Sequence, residues 1–245
     1  MNVMGQIKKI LPESIYKIFL DTYENHVKDY INLSYSQEGE DLILSRLFEG
    51  KKEGFFIDVG ALHPKRFSNT YLFYKLGWRG INIEPRPGSM KLFNKFRRRD
   101  INLELPIYDD NIELTYYMFN EPALNSFSKE ICVERKDLRD YKLIGEKKLN
   151  TKKLVEILDE YITEDVDIDF LTIDVEGLDY NVLNSNDWKK YRPTVVLFED
   201  IVFKFQDLEQ SKSCKLLVEA GYSLWAKTFN TIFFISEEKK DLLKR

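Results

Sequence analysis

Carboxylate side chains stand where four apolar runs of this sequence end. The runs end at Asp58, at Glu84, at Asp174 with Glu176, and at Glu199. Short apolar runs bounded by glycine or proline are typical of buried strands. Because the carboxyl ends of parallel strands meet at one edge of a sheet, we expect these acids to share a crevice. An acidic crevice predicts a cationic or hydroxyl-rich ligand, or a metal ion.

Gly60 and Glu84 are the most informative pair among these strand ends. A glycine after the first strand lets the backbone approach a ligand closely. An acid at the end of the next strand can accept hydrogen bonds from two ribose hydroxyls. The loop after Gly60 lacks the further glycines with which a pyrophosphate settles on a helix N-terminus. A nucleoside without phosphates, such as S-adenosylmethionine, therefore fits this pair better than NAD does.

Strand-like runs alternate with helical segments along the chain, which predicts a parallel α/β sheet. The predicted strands cover residues 55–59, 80–84, 102–107, 112–119, 168–174 and 194–199. The predicted helices cover residues 37–49, 69–77, 88–98, 151–161, 178–186 and 205–220. Two later runs, 222–226 and 231–235, flank a short turn and predict an antiparallel hairpin at the end of the sheet.

Two segments stand apart from this alternation. Residues 13–31 carry apolar side chains at helical spacing, which predicts a helix. We expect residues 1–34 to form a helical extension that packs on the domain or forms a homodimer interface. Residues 35–245 predict one domain. Within it, residues 120–148 are charged and irregular, and we expect them to form an insertion beside the site.

Composition excludes several classes of protein. The chain has 245 residues, 32% of them charged, with 37 basic and 41 acidic side chains. This net charge of −4 argues against a nucleic-acid partner whose affinity depends on phosphate neutralisation. Two cysteines exclude a secreted disulfide scaffold and favour a reducing, cytoplasmic setting. No apolar stretch predicts a signal peptide or a membrane span.

Five segments resemble the FkbM family of S-adenosylmethionine-dependent methyltransferases. They are SQEGEDLIL (36–44), FIDVGALHP (56–64), SNTYLFYKLGWRGINIEPRPGSM (68–90), FLTIDVEGLDYNVLNSNDW (170–188) and RPTVVLFE (192–199). The resemblance implies the class I methyltransferase fold, a Rossmann-like, mostly parallel sheet of seven strands with helices on both faces and an antiparallel C-terminal hairpin. It also implies O-methylation of a sugar or of a secondary metabolite.

The resemblance carries cofactor contacts onto particular residues of this chain. We expect the first loop to contact the cofactor through Asp58, Gly60 and Ala61, and the end of the second strand to contact it through Glu84 and Pro85. The SQxGED-like segment should add Gln37 and Asp41, and the helix after the first loop should add Asn69. An adenine slot after the third strand should include Tyr108 and Asp109, beside Ile107.

Methyl transfer to a hydroxyl needs a group that handles the hydroxyl proton, because the pKa of a sugar hydroxyl lies far above 7. One alternative is a general base, for which His63, Asp174 and Glu176 are candidates. The other is a divalent metal, Fe(II), Mn(II) or Mg(II), held by His63, Asp174 and Glu199 with open positions for substrate oxygens. The residues leave both alternatives open.

The acceptor is predicted from position alone. Arg97 lies in a basic stretch that suits the phosphates of a nucleotide-linked sugar, and Asn125 and Ser126 suit hydrogen bonding to the sugar. These contacts indicate an enzyme that methylates a sugar hydroxyl for a surface polysaccharide or glycan. Two alternatives remain: a secondary metabolite or lipid-linked glycan as acceptor, and a non-catalytic module that binds S-adenosylmethionine or a partner.

Overall fold

Nine strands and nine α-helices account for most of the chain that the computed structural model describes, which is residues 3–27, 29–135, 138, 140–163, 166–200, 204 and 210–244. The strands are β1 Phe55–Val59, β2 Arg79–Ile83, β3 Ile101–Leu103, β4 Glu113–Phe119, β5 Leu143–Asn150, β6 Phe170–Ile173, β7 Val195–Glu199, β8 Tyr222–Lys227 and β9 Thr231–Ser236. The α-helices are α1 Val3–Ile10, α2 Glu13–His26, α3 Glu40–Leu47, α4 Tyr71–Lys75, α5 Met90–Phe96, α6 Lys129–Arg135, α7 Leu154–Tyr161, α8 Asp179–Asn184 and α9 Lys212–Glu219. Two 3₁₀ segments, Pro122–Leu124 and Glu237–Lys244, complete the set.

Seven strands form one sheet in the order β3-β2-β1-β6-β7-β9-β8. The first five pair in parallel, and β9 pairs antiparallel with both β7 and β8. The chain runs outward from β1 to β3 and then returns to place β6 on the other side of β1. Loops after β1 and β6 therefore diverge, and this divergence opens a crevice at the carboxyl ends of the two strands.

The central strands are buried on both faces, which explains their uninterrupted apolar runs. On one face, Ile57 and Val59 of β1 pack in a core that includes side chains of α7, α8 and α9. On the other, Phe56 and Phe170 pack with side chains of α3 and α4. The class I methyltransferase architecture expected from the sequence is confirmed, including the helices on both faces and the C-terminal hairpin.

The segment between β3 and α7 differs from its prediction. Strand β4 pairs antiparallel with β5 and does not join the large sheet. The segment 120–148, expected to be irregular, contains α6 and most of β5. Strand β5 is largely exposed and reads LIGEKKLN, and it therefore lacks the alternation of apolar and polar residues that reveals a half-buried strand.

The chain divides into two units, Met1–Leu33 and Ser34–Arg245. In the first unit, α2 ends at His26, earlier than the predicted residue 31, and α1 precedes it. The apolar side chains Ile15, Ile18 and Phe19 of α2 are exposed. Residues 205–209 of the last predicted helix lie outside the described residues, and α9 begins at Lys212. None of the helices described is long and apolar enough to cross a membrane.

Candidate active site

A cavity of about 470 Å³ lies at the carboxyl ends of β1, β2, β6 and β7. The strand ends supply its acidic wall, and the segment between β3 and α7 supplies much of the rest. The acids that line it are Asp58, Glu84, Glu121, Asp174, Glu176 and Glu199. The structure thus brings every predicted strand-end carboxylate into one cavity.

Gly60 occupies the tightest point of this crevice. Its φ is +85°, a conformation that side chains rarely adopt, and a Cβ atom here would lie 1.8 Å from the carbonyl oxygen of Asp174. The glycine therefore lets the end of β1 pass close to the chain after β6, and it leaves its own backbone at the cavity. Ala61 packs against Met90 and Phe93 instead and does not line the cavity.

Glu84 presents its carboxylate to the cavity from the end of β2. Its Oε2 accepts a hydrogen bond from the amide of Leu62 at 2.9 Å, and its Oε1 accepts one from the amide of Arg86 at 2.9 Å. Burial raises the pKa of Glu84, and these two amides oppose the shift. Oε2 keeps an acceptor position for a ligand hydroxyl. Pro85 lines the same wall.

Asp58 is held by a buried network that we call the arginine cluster: Asp58, Thr70, Asn82, Arg97 and Asp100. The Thr70 hydroxyl donates to Asp58 at 2.8 Å, and the Arg97 guanidinium donates to Thr70 at 3.0 Å. The same guanidinium donates to Asp100 at 2.8 Å and to Asn82 at 3.3 Å. Burial raises the pKa of Asp58 to about 6, although Thr70 and Arg97 both lower it.

Arg97 was predicted to contact substrate phosphates, and this prediction is wrong. Its side chain is 0% exposed and does not line the cavity. Its N–H groups donate hydrogen bonds within the arginine cluster and to the carbonyl of Pro64. The neighbouring Arg98 and Arg99 are exposed. A run of basic residues in a sequence does not reveal which of them is buried, because burial depends on which carboxylates lie near each side chain in the folded protein.

A second group of acids, which we call the carboxylate cluster, consists of Asp174, Glu176, Asp179 and Glu199. Burial raises the pKa of Glu199 to about 7, and the neighbouring Glu176 adds to the shift. Burial and the charge of Glu199 raise the pKa of Asp179 to about 8. Asp174 is accessible from the cavity, yet the surrounding protein and the charges of Glu199 and Glu176 hold its pKa well above the ordinary value.

Arg135 of α6 forms an ion pair with one member of this cluster. Its guanidinium pairs with Glu176 and donates to the carbonyl of Leu124 at 2.9 Å. Burial raises the pKa of Glu176, and Arg135 opposes that shift. Ser126 donates to the Glu176 carbonyl at 2.9 Å, which ties the segment before α6 to the loop after β6.

The metal-ligand set predicted from His63, Asp174 and Glu199 does not form. His63 does not line the cavity, and its Nδ1 accepts hydrogen bonds from the amides of Lys65 at 3.1 Å and Arg66 at 3.0 Å. This Nδ1 organises a turn, so the structure does not support His63 as a base either. Burial and the adjacent arginines lower the pKa of His63.

In the described part of the chain, Glu176 takes the place expected for His63 beside Asp174 and Glu199. One oxygen from each of these three carboxylates lies within 4.8 Å of the others. An all-carboxylate set of this kind suits hard cations such as Mg²⁺ or Mn²⁺.

The SQxGED-like segment places only Gln37 at the cavity. Asp41 is 0% exposed and accepts hydrogen bonds from the Ser34 hydroxyl at 2.6 Å, the Tyr35 amide at 2.7 Å and the Ser36 hydroxyl at 2.9 Å. Asp41 therefore shapes the loop that carries Gln37, and it does not line the cavity.

The cavity wall after the third strand lies a few residues earlier than the adenine slot that was predicted there. Leu105, Pro106 and Ile107 line the cavity, whereas Tyr108 and Asp109 do not. The Asp109 carboxylate accepts hydrogen bonds from Asn181 and Asn184 of α8, at 3.0 and 3.3 Å. The wall falls earlier than predicted because β3 ends at Leu103.

Three further predicted residues lie at the cavity, but their side chains already have protein partners. Asn69 donates to the Thr172 hydroxyl at 2.9 Å. Asn125 accepts from the Phe119 amide at 2.7 Å and donates to the Tyr116 hydroxyl at 3.1 Å. The Ser126 hydroxyl donates to Glu176. The expected sugar contacts of Asn125 and Ser126 would have to compete with these bonds.

Several cavity residues were not predicted. They are Leu62, Arg66, Phe67, Tyr116, Glu121, Arg135 and Tyr141. Asp179 of the carboxylate cluster was also missed, although the sequence DVEGLD already places it soon after Glu176. No local pattern marks Arg135 or Tyr141, because their positions depend on how the segment between β4 and β5 folds over the strand ends.

Comparison with known proteins bears on what such a cavity does. Residues 58–224 match a family model described as the methyltransferase FkbM domain. The chain belongs to the FkbM methyltransferase family. No curated protein sequence matches this FkbM methyltransferase.

Solved structures with a similar arrangement include three methyltransferases. A precorrin-6y C5,15-methyltransferase from Geobacter metallireducens is 13% identical, covers 86% of this chain and 93% of its own, and has a TM-score of 0.41. An O-methyltransferase from Bacillus cereus in complex with SAH is 12% identical, covers 93% of both chains and has a TM-score of 0.40. A TehB-like SAM-dependent methyltransferase from Corynebacterium glutamicum is 9% identical, covers 91% and 97%, and has a TM-score of 0.40.

The family implies S-adenosylmethionine as cofactor, and the cavity fits it. Asp58 and Glu84 supply acceptors for the hydroxyl and amino groups of a nucleoside methionine, while Leu105 and Ile107 supply an apolar wall for a flat base. Gly60 lines the same cavity with its backbone. These residues would hold the cofactor at the β1–β2 side of the cavity.

Proposed function

We propose that this FkbM methyltransferase is an O-methyltransferase that acts on a sugar hydroxyl. The observation that carries the proposal is the position of Glu199. Its carboxylate lies at the end of β7, in the same cavity as the cofactor-side acids Asp58 and Glu84. The cavity thus combines acids that suit the nucleoside of the cofactor with a carboxylate that can accept the proton of an acceptor hydroxyl.

S-adenosylmethionine, when bound, supplies an electrophilic methyl group. The residues of this chain must align the acceptor oxygen and take its proton as the new bond forms. Glu199 suits this role best, because a base is most efficient when its pKa lies near the working pH. Glu176 pairs with Arg135, and burial together with the charges of neighbouring acids holds the pKa of Asp174 well above its ordinary value. We assign these two to hydrogen bonding with the acceptor hydroxyls.

A neutral, hydroxyl-rich acceptor agrees with the charges around the cavity. The arginines of its wall, Arg66 and Arg135, pair with Glu121 and Glu176, so neither presents an uncompensated charge to a phosphate. Since Arg97 is buried as well, the nucleotide part of a nucleotide-linked sugar loses its expected contact. The proposal therefore concerns the sugar ring, whether it is free or linked to a larger glycan or metabolite.

The proposal is tested in two steps. Isothermal titration with S-adenosylhomocysteine measures cofactor binding, for which we expect a micromolar Kd. Purified protein is then incubated with S-adenosylmethionine and one acceptor from each class: methyl hexopyranosides, nucleotide sugars, catechols and primary amines. Mass spectrometry of the methylated product identifies the class. Methylation of amines alone would contradict O-methylation, and cofactor binding without any transfer would favour the non-catalytic alternative.

A divalent cation is the second candidate for the handling of the acceptor proton. The support for it is the spacing of the oxygens of Asp174, Glu176 and Glu199. Chelation with EDTA, followed by return of Mg²⁺, Mn²⁺ or Fe²⁺ one at a time, separates the candidates. Unchanged turnover after exhaustive chelation would leave the general base; loss of turnover that one metal restores would favour the cation.

A further inference from the structure

Three non-glycine residues of the described chain have a left-handed backbone, and all three line the cavity. They are Leu62 with φ +50°, Phe67 with φ +54° and Glu176 with φ +55°. Side chains rarely adopt this conformation, and where it persists the surrounding structure enforces it, most often at functional sites. Its restriction to one cavity therefore identifies that cavity as the place where the fold accepts strain.

Phe67 differs from the other two residues. The Leu62 amide donates to Glu84, and the Glu176 side chain pairs with Arg135, so each of these two residues has a polar partner at the site. Phe67 is 41% exposed, although it is a large apolar side chain at the wall of a cavity. The packing of the protein core therefore does not account for the placement of its ring.

Hydrogen bonds fix the backbone on both sides of Phe67. Before it, the Nδ1 of His63 accepts the amides of Lys65 and Arg66. After it, the Ser68 amide donates to the carbonyl of Tyr35 at 2.9 Å. A loop held this way presents its side chain with little remaining freedom, which lowers the entropy that a ligand must remove on binding.

Arg66 contacts the ring and connects it to Glu121, another residue that lines the cavity. Its guanidinium lies 4.5 Å from the ring centroid of Phe67. Two hydrogen bonds, of 3.1 and 3.2 Å, join the same guanidinium to the carboxylate of Glu121. Phe67 is thus backed by a planar group that is itself anchored, and its ring remains partly exposed at the cavity.

We propose that Phe67 is a stacking platform for the pyranose ring of the acceptor. The proposal rests on the proposed sugar O-methylation and names the part of the sugar that is recognised. An aromatic face carries partial negative charge and favours contact with the C–H-rich face of a pyranose, while the hydroxyls at the ring edge remain free to meet the carboxylates. The platform therefore distinguishes a cyclic sugar from an open-chain polyol with similar hydroxyl groups.

Four variants separate the ring from the backbone conformation. Phe67→Ala removes the ring and retains the strained backbone, and Phe67→Gly removes both. Phe67→Tyr keeps an aromatic face. The matched control is Phe96→Ala, because Phe96 is 38% exposed, has the ammonium of Lys65 at 4.4 Å from its ring centroid, and does not line the cavity.

Binding is measured independently of turnover. Saturation-transfer NMR on protein loaded with S-adenosylhomocysteine compares methyl hexopyranosides with the open-chain hexitol sorbitol, and titration calorimetry checks the Kd of S-adenosylhomocysteine in every variant. We expect Phe67→Ala and Phe67→Gly to weaken hexopyranoside binding, and to raise its KM, by about tenfold, as for loss of one stacked ring. Phe67→Tyr and Phe96→Ala should stay within about twofold of the wild type, and binding of S-adenosylhomocysteine should be unchanged throughout.

Two results would overturn the platform. The first is hexopyranoside binding that is unchanged in Phe67→Ala, and the second is an equal loss for sorbitol and for the hexopyranoside. The proposed function fails separately, if the hexopyranoside binds the wild type but receives no methyl group. If the wild type binds no hexopyranoside at all, the platform is wrong whatever acceptor the enzyme methylates.

Discussion

The arginine cluster and the carboxylate cluster both hold acids at the ends of neighbouring strands, but they compensate those acids differently. In the arginine cluster, one buried guanidinium serves Asp58 and Asp100, and the pKa of Asp58 rises only to about 6. In the carboxylate cluster, Arg135 pairs with Glu176 alone. The pKa values of Glu199 and Asp179 reach about 7 and about 8.

This difference separates two kinds of task. A compensated acid stays ionised at neutral pH and keeps a fixed geometry, which suits the holding of a cofactor. A group of under-compensated acids retains protons near neutral pH and can exchange them, which suits a site where an acceptor hydroxyl loses its proton. Removal of charge should therefore have opposite effects on stability in the two clusters.

The largest effect is expected from Arg97→Met. The change leaves Asp100 and Asp58 buried without their cation, and such a loss destabilises a protein by about 3–5 kcal/mol. Urea unfolding followed by circular dichroism measures the change. Arg98→Met is the matched control, since Arg98 is the next residue and is exposed, and we expect it to change stability by less than about 0.5 kcal/mol. Equal stability of the two variants would contradict the role of the arginine cluster.

The contrast between Arg97 and Arg98 also shows what the sequence could not predict. Both residues belong to one basic run, and only tertiary contacts with Thr70 and Asp100 bury the first. The same holds for His63, whose Nδ1 organises a turn. The sequence reveals that such groups are present near the strand ends, but it does not reveal which partners they meet.

Strand ends were predicted well for a physical reason. Central parallel strands are buried on both faces, so they appear as apolar runs whose ends are visible in the sequence. The apolar runs alone therefore suffice to predict that Asp58, Glu84, Asp174 and Glu199 share one crevice. Strand β5 produced no such signal, because an exposed strand is specified by its pairing with β4 rather than by its own composition.

In the carboxylate cluster, Glu199→Gln tests the proposed base. We expect kcat to fall by about 10²–10⁴-fold, the usual contribution of a general base, while the Kd of S-adenosylhomocysteine changes by less than about twofold. The melting temperature should stay level or rise, because one of several repelling charges is lost. Glu134→Gln, an exposed change on α6, is the control. A variant that melts lower but turns over normally would refute the assignment.

The pH profile of kcat checks the same residue without a substitution. A carboxyl group acts as a base only when ionised, so turnover should rise with pH through about 7, where Glu199 loses its proton, and then level off. The residual activity of Glu199→Gln should lack this rise. A wild-type profile that is flat between about pH 5.5 and 8.5 would show that no group of the carboxylate cluster titrates during turnover.

Asp179→Asn should produce a smaller, pH-dependent gain in stability. The folded pKa of about 8 exceeds the ordinary value of 3.8, so between these pH values the folded state keeps a proton that the unfolded state has lost. This group therefore lowers the free energy of unfolding as pH rises, and asparagine removes the effect. We expect the variant to exceed the wild type by about 1–3 kcal/mol at pH 8 and by much less at pH 5.

Urea unfolding at the two pH values measures this gain. Asp140→Asn is the control, because it makes the same change at an exposed position. A gain of Asp179→Asn that is the same at both pH values would mean that the carboxyl of Asp179 does not keep its proton in the folded protein.

The smallest effect is expected from Arg135→Met, which removes the cation that pairs with the carboxylate cluster and leaves its acids still less compensated than those of the arginine cluster. Arg135 lowers the pKa of Glu176 and of Glu199, so its removal should raise both and move the rising limb of the kcat profile to higher pH. At pH 7 we expect turnover to fall a few-fold and to recover at higher pH, where Glu199 ionises again. Recovery distinguishes a change in proton affinity from damage to the fold, because a damaged site stays inactive at every pH.

Arg135→Lys is the control, because it retains the charge and should leave the rising limb of the kcat profile at the same pH. If the limb moved equally in both variants, the guanidinium would act through its hydrogen bond to Leu124 and not through its charge.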